Sequence, residues 1–194
     1  MASLTEIRWH SRGGQGAKTA AILLAEAASA AGMYVQGFPE YGPERMGAPM
    51  LAFNRLSEEP IHVHSHVEEP GVVMVLDPSL IGKVDVAAGI PKGGAIIINT
   101  DLSPDEMRQM LGCTDDHGYR VCVVDASKIS VETIGRDIPN TPMMGALIKV
   151  SGVMAFEKFI EIIKEQLEHK FRGKPEVVEG NIKAIERAYQ EVSG

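Results

Sequence analysis

The sequence lacks several features that would each point to a particular class of protein. No apolar run approaches the roughly 18–20 residues of a membrane-spanning helix, and the first residues lack the basic-then-apolar pattern of a signal peptide. Two cysteines, Cys113 and Cys122, are too few for a disulfide framework or a cysteine-rich site. A formal net charge of −7 argues against nucleic-acid binding through a broad basic face. These absences favour a soluble, cytoplasmic globular protein.

Composition and length favour a single folded unit. The chain has 194 residues, of which 44% are apolar and 23% charged, so it can form an ordinary hydrophobic core. We find no internal repeat and no low-complexity linker. We therefore expect one domain over residues 1–194.

Short β-branched runs alternate with longer helical periods, which is typical of an α/β fold. Residues 7–10, 33–38 and 51–56 are predicted strands. Residues 72–77, 95–100 and 121–125 are continuously apolar runs with Asp or Asn at or near their ends, a pattern typical of strands buried on both faces. Open α/β sheets bind ligands at the carboxyl edge, where these polar residues would lie. The predicted fold is a Rossmann-like, mainly parallel sheet flanked by helices.

The predicted helices differ in character. Alanines at three- and four-residue spacing over residues 17–31 predict a helix that packs closely on the sheet and ends at Gly32. A further helix is predicted to begin near Pro142 with Thr141 as its cap, followed by core residues Met143 and Met144. Two amphipathic helices, separated by residues 173–175, close the chain.

A glycine-rich loop separates the first predicted strand from the first predicted helix. It comprises Arg12, Gly13, Gly14, Gln15 and Gly16. Without Cβ atoms, an anion can approach the backbone N–H groups and the positive end of the helix dipole, and nearby Lys18 adds positive charge. We therefore predict that this loop and Lys18 contact a phosphate-bearing cofactor. The alternative is a tight turn that binds nothing.

The loop does not complete either familiar nucleotide motif. Thr19 stands where the dinucleotide fingerprint G-x-G-x-x-G needs its third small residue. Ala17 separates Gly16 from Lys18, so the P-loop pattern fails as well. NAD and ATP chemistry are therefore disfavoured.

A stiff loop is predicted between the second and third strands, because residues 38–50 contain three prolines and two glycines. It would present Tyr41, Glu44, Arg45 and Met46. Exposed aromatic, arginine and methionine side chains are typical of interface hot spots. We expect a contact surface for partner subunits or for a second copy of the chain; the alternative is an irregular crossover.

No catalytic or metal centre is evident. His62, His64 and His66 would share one face of a strand, yet no further ligand at suitable spacing completes a zinc site, so solvated side chains are expected. The chain has no G-x-S-x-G elbow, and Cys122 lies in a run predicted to be buried. We predict no catalytic residue and no metal ligand.

Three segments together resemble the gamma subunits of 2-oxoacid:ferredoxin oxidoreductases, specifically of the pyruvate type. They are residues 7–18 (IRWHSRGGQGAK), residues 40–50 (EYGPERMGAPM) and residues 138–147 (IPNTPMMGAL). The segments keep the order of that family, and the likeness covers nearly the whole chain.

The resemblance implies one subunit of a larger enzyme. In this family, thiamine diphosphate and [4Fe–4S] clusters serve 2-oxoacid oxidation, ferredoxin accepts the electrons and coenzyme A accepts the acyl group. This chain has no Gly-Asp-Gly motif, and two cysteines cannot hold a cluster that needs four. Those cofactors are therefore expected on alpha, beta and delta subunits, and coenzyme A is the expected ligand of the glycine loop.

The sequence is also compatible with three other functions. One is a free-standing NAD(P)-dependent oxidoreductase, against which the incomplete fingerprint counts. Another is a scaffold with an empty glycine turn. A third is a gamma subunit specific for 2-oxoisovalerate or 2-oxoglutarate, although the match over residues 40–50 favours pyruvate.

Overall fold

Six strands form one mixed sheet in the computed structural model, which describes residues 4–39 and 47–194. The strands are β1 Thr5–Arg12, β2 Tyr34–Pro39, β3 Pro49–Ser57, β4 Val72–Val75, β5 Ala95–Asn99 and β6 Arg120–Val124, in the order β2-β3-β1-β4-β5-β6. Strands β1, β4, β5 and β6 run parallel, whereas β3 is antiparallel to both β1 and β2. The predicted mainly parallel α/β sheet is confirmed.

Six helices accompany the sheet within the described residues. They are α1 Ala17–Ala30, α2 Pro104–Met110, α3 Ala126–Ile134, α4 Asn140–Ser151, α5 Phe156–Lys170 and α6 Pro175–Glu191. The last two are the predicted C-terminal amphipathic helices, and each buries one apolar stripe. In the portion of the chain that the structure describes, no helix is long and apolar enough to cross a membrane.

Helix α1 lies close to the sheet because its inner face consists of alanine and leucine. The indole nitrogen of Trp9 donates to Asn54 Oδ1 at 2.8 Å, and Asn54 Nδ2 donates to the Ala21 carbonyl at 2.8 Å. This buried amide thus links β1 to α1 with its hydrogen bonds satisfied. Gly32 follows the helix with φ of +90°, which confirms the predicted end.

The two faces of the sheet carry separate apolar clusters. Alternate side chains, such as Trp9, Met74 and Ile97, point toward α1, α3, α4, α5 and α6. Their neighbours along the strands, such as Val75 and Ile98, pack against α2 and the segment 80–90. Met143, Met144 and Cys122 are buried on the helix side, as predicted.

Helix α4 begins two residues earlier than predicted. Asn140 and Thr141 are helical, and Pro139 is the N-cap, so the assignment of Thr141 as the cap is wrong. Pro142 is the third helical residue, where the backbone N–H would have no intrahelical acceptor, so proline fits there.

The histidine-rich segment is not a strand, contrary to the prediction. Residues 60–70 form no part of the sheet. The carbonyls of Ser65 and His66 instead accept hydrogen bonds from the buried Arg55 guanidinium. The side chains of His62 and His64 are exposed, and so is that of His66.

Candidate functional site

The glycine loop connects the end of β1 to the start of α1, and two of its glycines have left-handed backbones. Gly14 has φ of +99° and Gly16, the N-cap of α1, has φ of +86°. A Cβ on Gly16 would lie 2.5 Å from Asn140 Nδ2, whereas a Cβ on Gly14 would meet nothing within 4 Å. Glycine is therefore required at position 16 for two reasons, the left-handed backbone and the close contact with Asn140. Gly14 lies on the open side of the loop.

Asn140, at the start of α4, is hydrogen-bonded to the end of the loop. Its Nδ2 donates to the Gly16 carbonyl at 3.2 Å, and its Oδ1 accepts from the Thr141 N–H at 3.0 Å. The contact joins the N-terminus of α1 to the N-terminus of α4, across 124 positions in the sequence. Asn140 is thus part of the packing that shapes the loop.

Asp77, directly after Leu76 at the carboxyl end of β4, holds the loop at Arg12 and Gln15. Its Oδ2 accepts from Gln15 Nε2 at 2.9 Å and lies 3.1 Å from Arg12 Nε. Its Oδ1 accepts from the Ser79 N–H at 2.9 Å. Gln15 Oε1 in turn accepts from the Arg12 N–H at 2.7 Å, so Arg12, Gln15 and Asp77 form a closed ring.

The Arg12 guanidinium reaches two other segments of the chain. Its guanidinium donates to Ser79 Oγ and, through Nη1, to the Gly47 carbonyl at 2.8 Å. The Gly13 N–H also donates to the Ala48 carbonyl at 3.0 Å. The glycine loop is therefore hydrogen-bonded to the segment that leads into β3.

The predicted interface residues Tyr41, Glu44, Arg45 and Met46 lie outside the described residues.

The surroundings of Asp77 favour its charged form. Burial tends to raise the pKa of the Asp77 carboxyl, but hydrogen bonds from Ser79 and Gln15 and the charge of Arg12 together lower this pKa below its usual value. The carboxylate therefore acts as a permanent acceptor at neutral pH.

A cleft of about 240 Å³ opens beside this network at the carboxyl edge of the sheet. It is lined by Gln15, Leu76, Asp77, Pro78, Asn99, Ser127, Asp137 and Pro139. Asn99 is held by Ser127 and the Leu76 carbonyl, with both ends of its amide bonded. Helices α1 and α2 lie on opposite faces of the sheet, and ligands of open α/β sheets bind where the chain changes face in this way.

A second polar pair, Arg8 and His10, precedes Arg12 on the same face of β1. Arg8 Nε donates to His10 Nε2 at 3.0 Å, and Arg8 Nη2 donates to the carbonyls of Ala88 and Val86. Both side chains are buried. Desolvation, with the neighbouring Arg8 charge, lowers the pKa of His10 to about 4, so His10 is neutral and accepts from Arg8.

The structure brings all the predicted loop residues together. Lys18 is exposed in the first turn of α1, Gly14 is exposed in the loop and Arg12 is partly exposed. Within residues 4–39 and 47–194, no group of three or more His, Cys, Asp or Glu side chains is arranged to hold a metal ion.

Sequence reasoning missed Asp77 and Asn140 as partners of the loop. The position of Asp77 at a strand end was a usable signal, because the carboxyl ends of parallel strands share one edge. Nothing in the sequence spacing links Asn140 to Gly16.

Comparisons with known proteins agree along nearly the whole chain. A model of the pyruvate ferredoxin/flavodoxin oxidoreductase family matches residues 6–191. "Pyruvate synthase subunit PorC" of Thermotoga maritima is 46% identical over 187 residues, which cover 96% of this chain and 94% of that protein. The "pyruvate/ketoisovalerate oxidoreductases common subunit gamma" of Thermococcus litoralis is 43% identical and covers 96% of each chain. The crystal structure of the pyruvate oxidoreductase subunit PORC from Thermotoga maritima matches with a TM-score of 0.84 at 43% identity, covering 98% of this chain and 97% of that one.

Proposed function

The chain belongs to the pyruvate ferredoxin/flavodoxin oxidoreductase family as a gamma subunit, and on that premise we propose its place in the complex and its ligand. It works with alpha, beta and delta subunits in the oxidative decarboxylation of pyruvate, with coenzyme A and ferredoxin as co-substrates. The observation that carries this is the match with PorC over nearly the full length of both chains.

Thiamine diphosphate and iron–sulfur clusters do not fit this chain. Its two cysteines are fewer than the four that a cubane cluster needs, and it has no Gly-Asp-Gly motif. We therefore assign both groups to the partner subunits, where they supply the redox chemistry. This chain contributes packing and part of the substrate site.

Co-purification tests the subunit assignment. The chain, expressed with a tag beside the alpha, beta and delta subunits from the same source, is expected to recover all three in one complex. Recovery of the tagged chain without any of them would contradict the proposal.

One gamma chain could serve two complexes. The Thermococcus litoralis relative is named as common to pyruvate and ketoisovalerate oxidoreductases. The second candidate function is therefore a gamma subunit shared between the two. Affinity capture followed by assays with pyruvate and with 2-oxoisovalerate distinguishes a dedicated subunit from a shared one.

We propose that the glycine loop binds a phosphate group of coenzyme A. Three features support this: the loop lies at the N-terminus of a 14-residue helix, Gly14 leaves its outer side open, and Lys18 is exposed in the first helical turn. Removal of the Arg12 charge would also break its contacts with Asp77, Ser79 and Gly47, which hold the loop in shape, so Lys18 is the charge to test first.

Kinetics of the assembled enzyme test this ligand. We expect Lys18→Gln to raise the KM for coenzyme A about tenfold, equivalent to about 1.4 kcal/mol, with the KM for pyruvate unchanged. Gly14→Ala should raise the same KM, whereas Gly32→Ala is its matched control. Gly32 has φ of +90° and equally open surroundings, but it lies at the other end of α1. If Lys18→Gln and Gly14→Ala both keep the wild-type dependence on coenzyme A, the loop is only a turn.

We propose that the loop over residues 39–50 contacts partner subunits or a second copy of the chain, as the side chains of Tyr41, Glu44, Arg45 and Met46 suggest. The double variant Tyr41→Ala/Arg45→Ala should weaken assembly and leave the thermal midpoint of the isolated chain unchanged. The control pair Tyr34→Ala/Arg136→Ala removes two exposed residues of the same types. Undiminished co-purification of the first pair would contradict the assignment.

We also propose that residues 1–194 form one domain and that the protein is cytoplasmic. One cooperative unfolding transition supports the first, and cell fractionation tests the second.

A further inference from the structure

The carboxylate of Asp77 lies where a negative charge should weaken an anion site. It is next to Arg12 and Gln15, two residues of the glycine loop, and its side chain is only 14% exposed. Simple electrostatics predicts that removing this charge would strengthen the binding of a phosphate at the loop. The contacts of Asp77 predict the opposite.

Asp77 holds the loop through both of its oxygens. Oδ1 is bonded to the Ser79 N–H, which fixes the carboxylate on the turn that follows β4. Oδ2 accepts a hydrogen bond from Gln15 Nε2 and faces Arg12 Nε, while Gln15 Oε1 accepts a hydrogen bond from the backbone N–H of Arg12. Rotation of any one of the three side chains therefore breaks a bond in the ring. The ring fixes the entry to the loop, as Asn140 fixes its exit at Gly16.

The ring also determines which groups a ligand can use. Both ends of the Gln15 amide are bonded within the loop and to Asp77, and all three guanidinium nitrogens of Arg12 have partners in Asp77, Ser79 or Gly47. Pairing with Asp77 also cancels the charge of Arg12 locally. At Gly14, by contrast, a Cβ would meet nothing within 4 Å, so the backbone there is open to a ligand.

We propose that Asp77 is a positioning residue for the coenzyme A site: it touches no ligand but holds Arg12 and Gln15, so that the glycine loop is already in its binding conformation. The inference rests on the proposed function of the loop. A preorganised loop loses less conformational freedom when the ligand binds, so the ring strengthens binding despite its negative charge.

Asp77→Asn is the informative variant because it keeps the size of the side chain. One oxygen can still accept from Ser79, but the new NH2 group faces the donors of Gln15 and Arg12. Asp125→Asn is the matched control. Asp125 follows β6 as Asp77 follows β4, accepts from the Lys128 N–H at 2.9 Å as a helix cap, and makes no hydrogen bond or ion pair with the described part of the glycine loop.

The experiment measures two quantities on the assembled complex: the KM for coenzyme A, and hydrogen–deuterium exchange of the peptide that covers residues 12–18. In Asp77→Asn we expect the KM to rise about five- to tenfold, kcat and the KM for pyruvate to stay unchanged, and exchange in this peptide to become faster. Asp125→Asn should change none of these. If Asp77→Asn does not assemble, Gln15→Met breaks the same ring from the other side and should give the same two changes.

The possible outcomes separate this inference from the function on which it rests. A lower or unchanged KM in Asp77→Asn, with a raised KM in Lys18→Gln, would overturn the positioning role and leave the coenzyme A site standing. An unchanged KM in both variants would overturn the coenzyme A site, and the inference with it. A raised KM without faster exchange in residues 12–18 would also overturn the positioning role.

Discussion

The two faces of the sheet differ in how they are built, although the same strands form both. On one face, Ile7 and Trp9 of β1 pack against helices rich in alanine, leucine and isoleucine. On the other face, Arg8 and His10 of the same strand are buried under loop carbonyls, and Arg12 continues the polar row into the glycine loop. The first face, here called the helix face, stabilises the fold by apolar packing under five helices. The second, here called the polar face, has a smaller apolar cluster around Val75 and Ile98, but its row of polar side chains on β1 shapes the candidate site.

The helix face should be most sensitive to added volume. Gly145 of α4 lies against the backbone of α6 at Ile185, where a Cβ would overlap the Ile185 carbonyl. We expect Gly145→Ala to lower the free energy of unfolding by about 2–3 kcal/mol, since the better helix propensity of alanine offsets only part of the overlap. Chemical denaturation measures this. Gly71→Ala is the control, because its nearest contact would be an ordinary 3.7 Å; an equal loss in both variants would contradict the argument.

The polar face should be the more sensitive to acid. The pKa of His10 is about 4 in the fold and about 6.5 in the unfolded chain, so only the unfolded chain takes up a proton as the pH falls below about 6.5. Between about pH 7.5 and about pH 5, this should remove about 2 kcal/mol from the stability of the wild type.

His10→Gln isolates this effect, because glutamine can still accept from Arg8 but does not titrate. The stability of this variant should fall by about 2 kcal/mol less than that of the wild type over the same pH interval. His66→Gln, at an exposed histidine, is the control and should follow the wild type. Parallel pH dependence of stability in the wild type and His10→Gln would show that burial does not lower the pKa of His10.

The smallest loss of stability is expected from removing the ion pairs on the solvent side of the helices. Arg187 of α6 pairs with Glu132 of α3 at 2.8 Å and with Glu191 at 2.9 Å, but the Arg187 side chain is 34% exposed and the glutamates about half. Solvent screens such pairs. Arg187→Met should change the unfolding midpoint only slightly, and about 1 M salt should abolish the difference. A change as large as that of Gly145→Ala would contradict the argument that exposed ion pairs contribute little to stability.

The sequence patterns predicted the helix face better than the polar face, for a physical reason. Strand alternation and helical spacing are local, so the six strands, α1 and the two C-terminal helices could be placed. The loop from Arg12 to Gly16 was identified by its glycines, which the backbone conformation requires at Gly14 and Gly16. The contacts of Gly16 with Asn140, and of Gln15 with Asp77, join residues distant in sequence. Such pairs carry no periodic signal, and the same holds for Arg55, whose carbonyl partners lie in a segment wrongly predicted as a strand.

The most direct test of the account is turnover with and without the partner subunits. The purified chain is given pyruvate, coenzyme A, thiamine diphosphate and ferredoxin, and the reduction of ferredoxin is followed. In parallel, the alpha, beta and delta subunits are assayed with and without this chain. We predict no turnover by the chain alone and full turnover only when all four subunits are present. Sustained reduction of ferredoxin by the isolated chain, or full activity of the complex without it, would contradict the account.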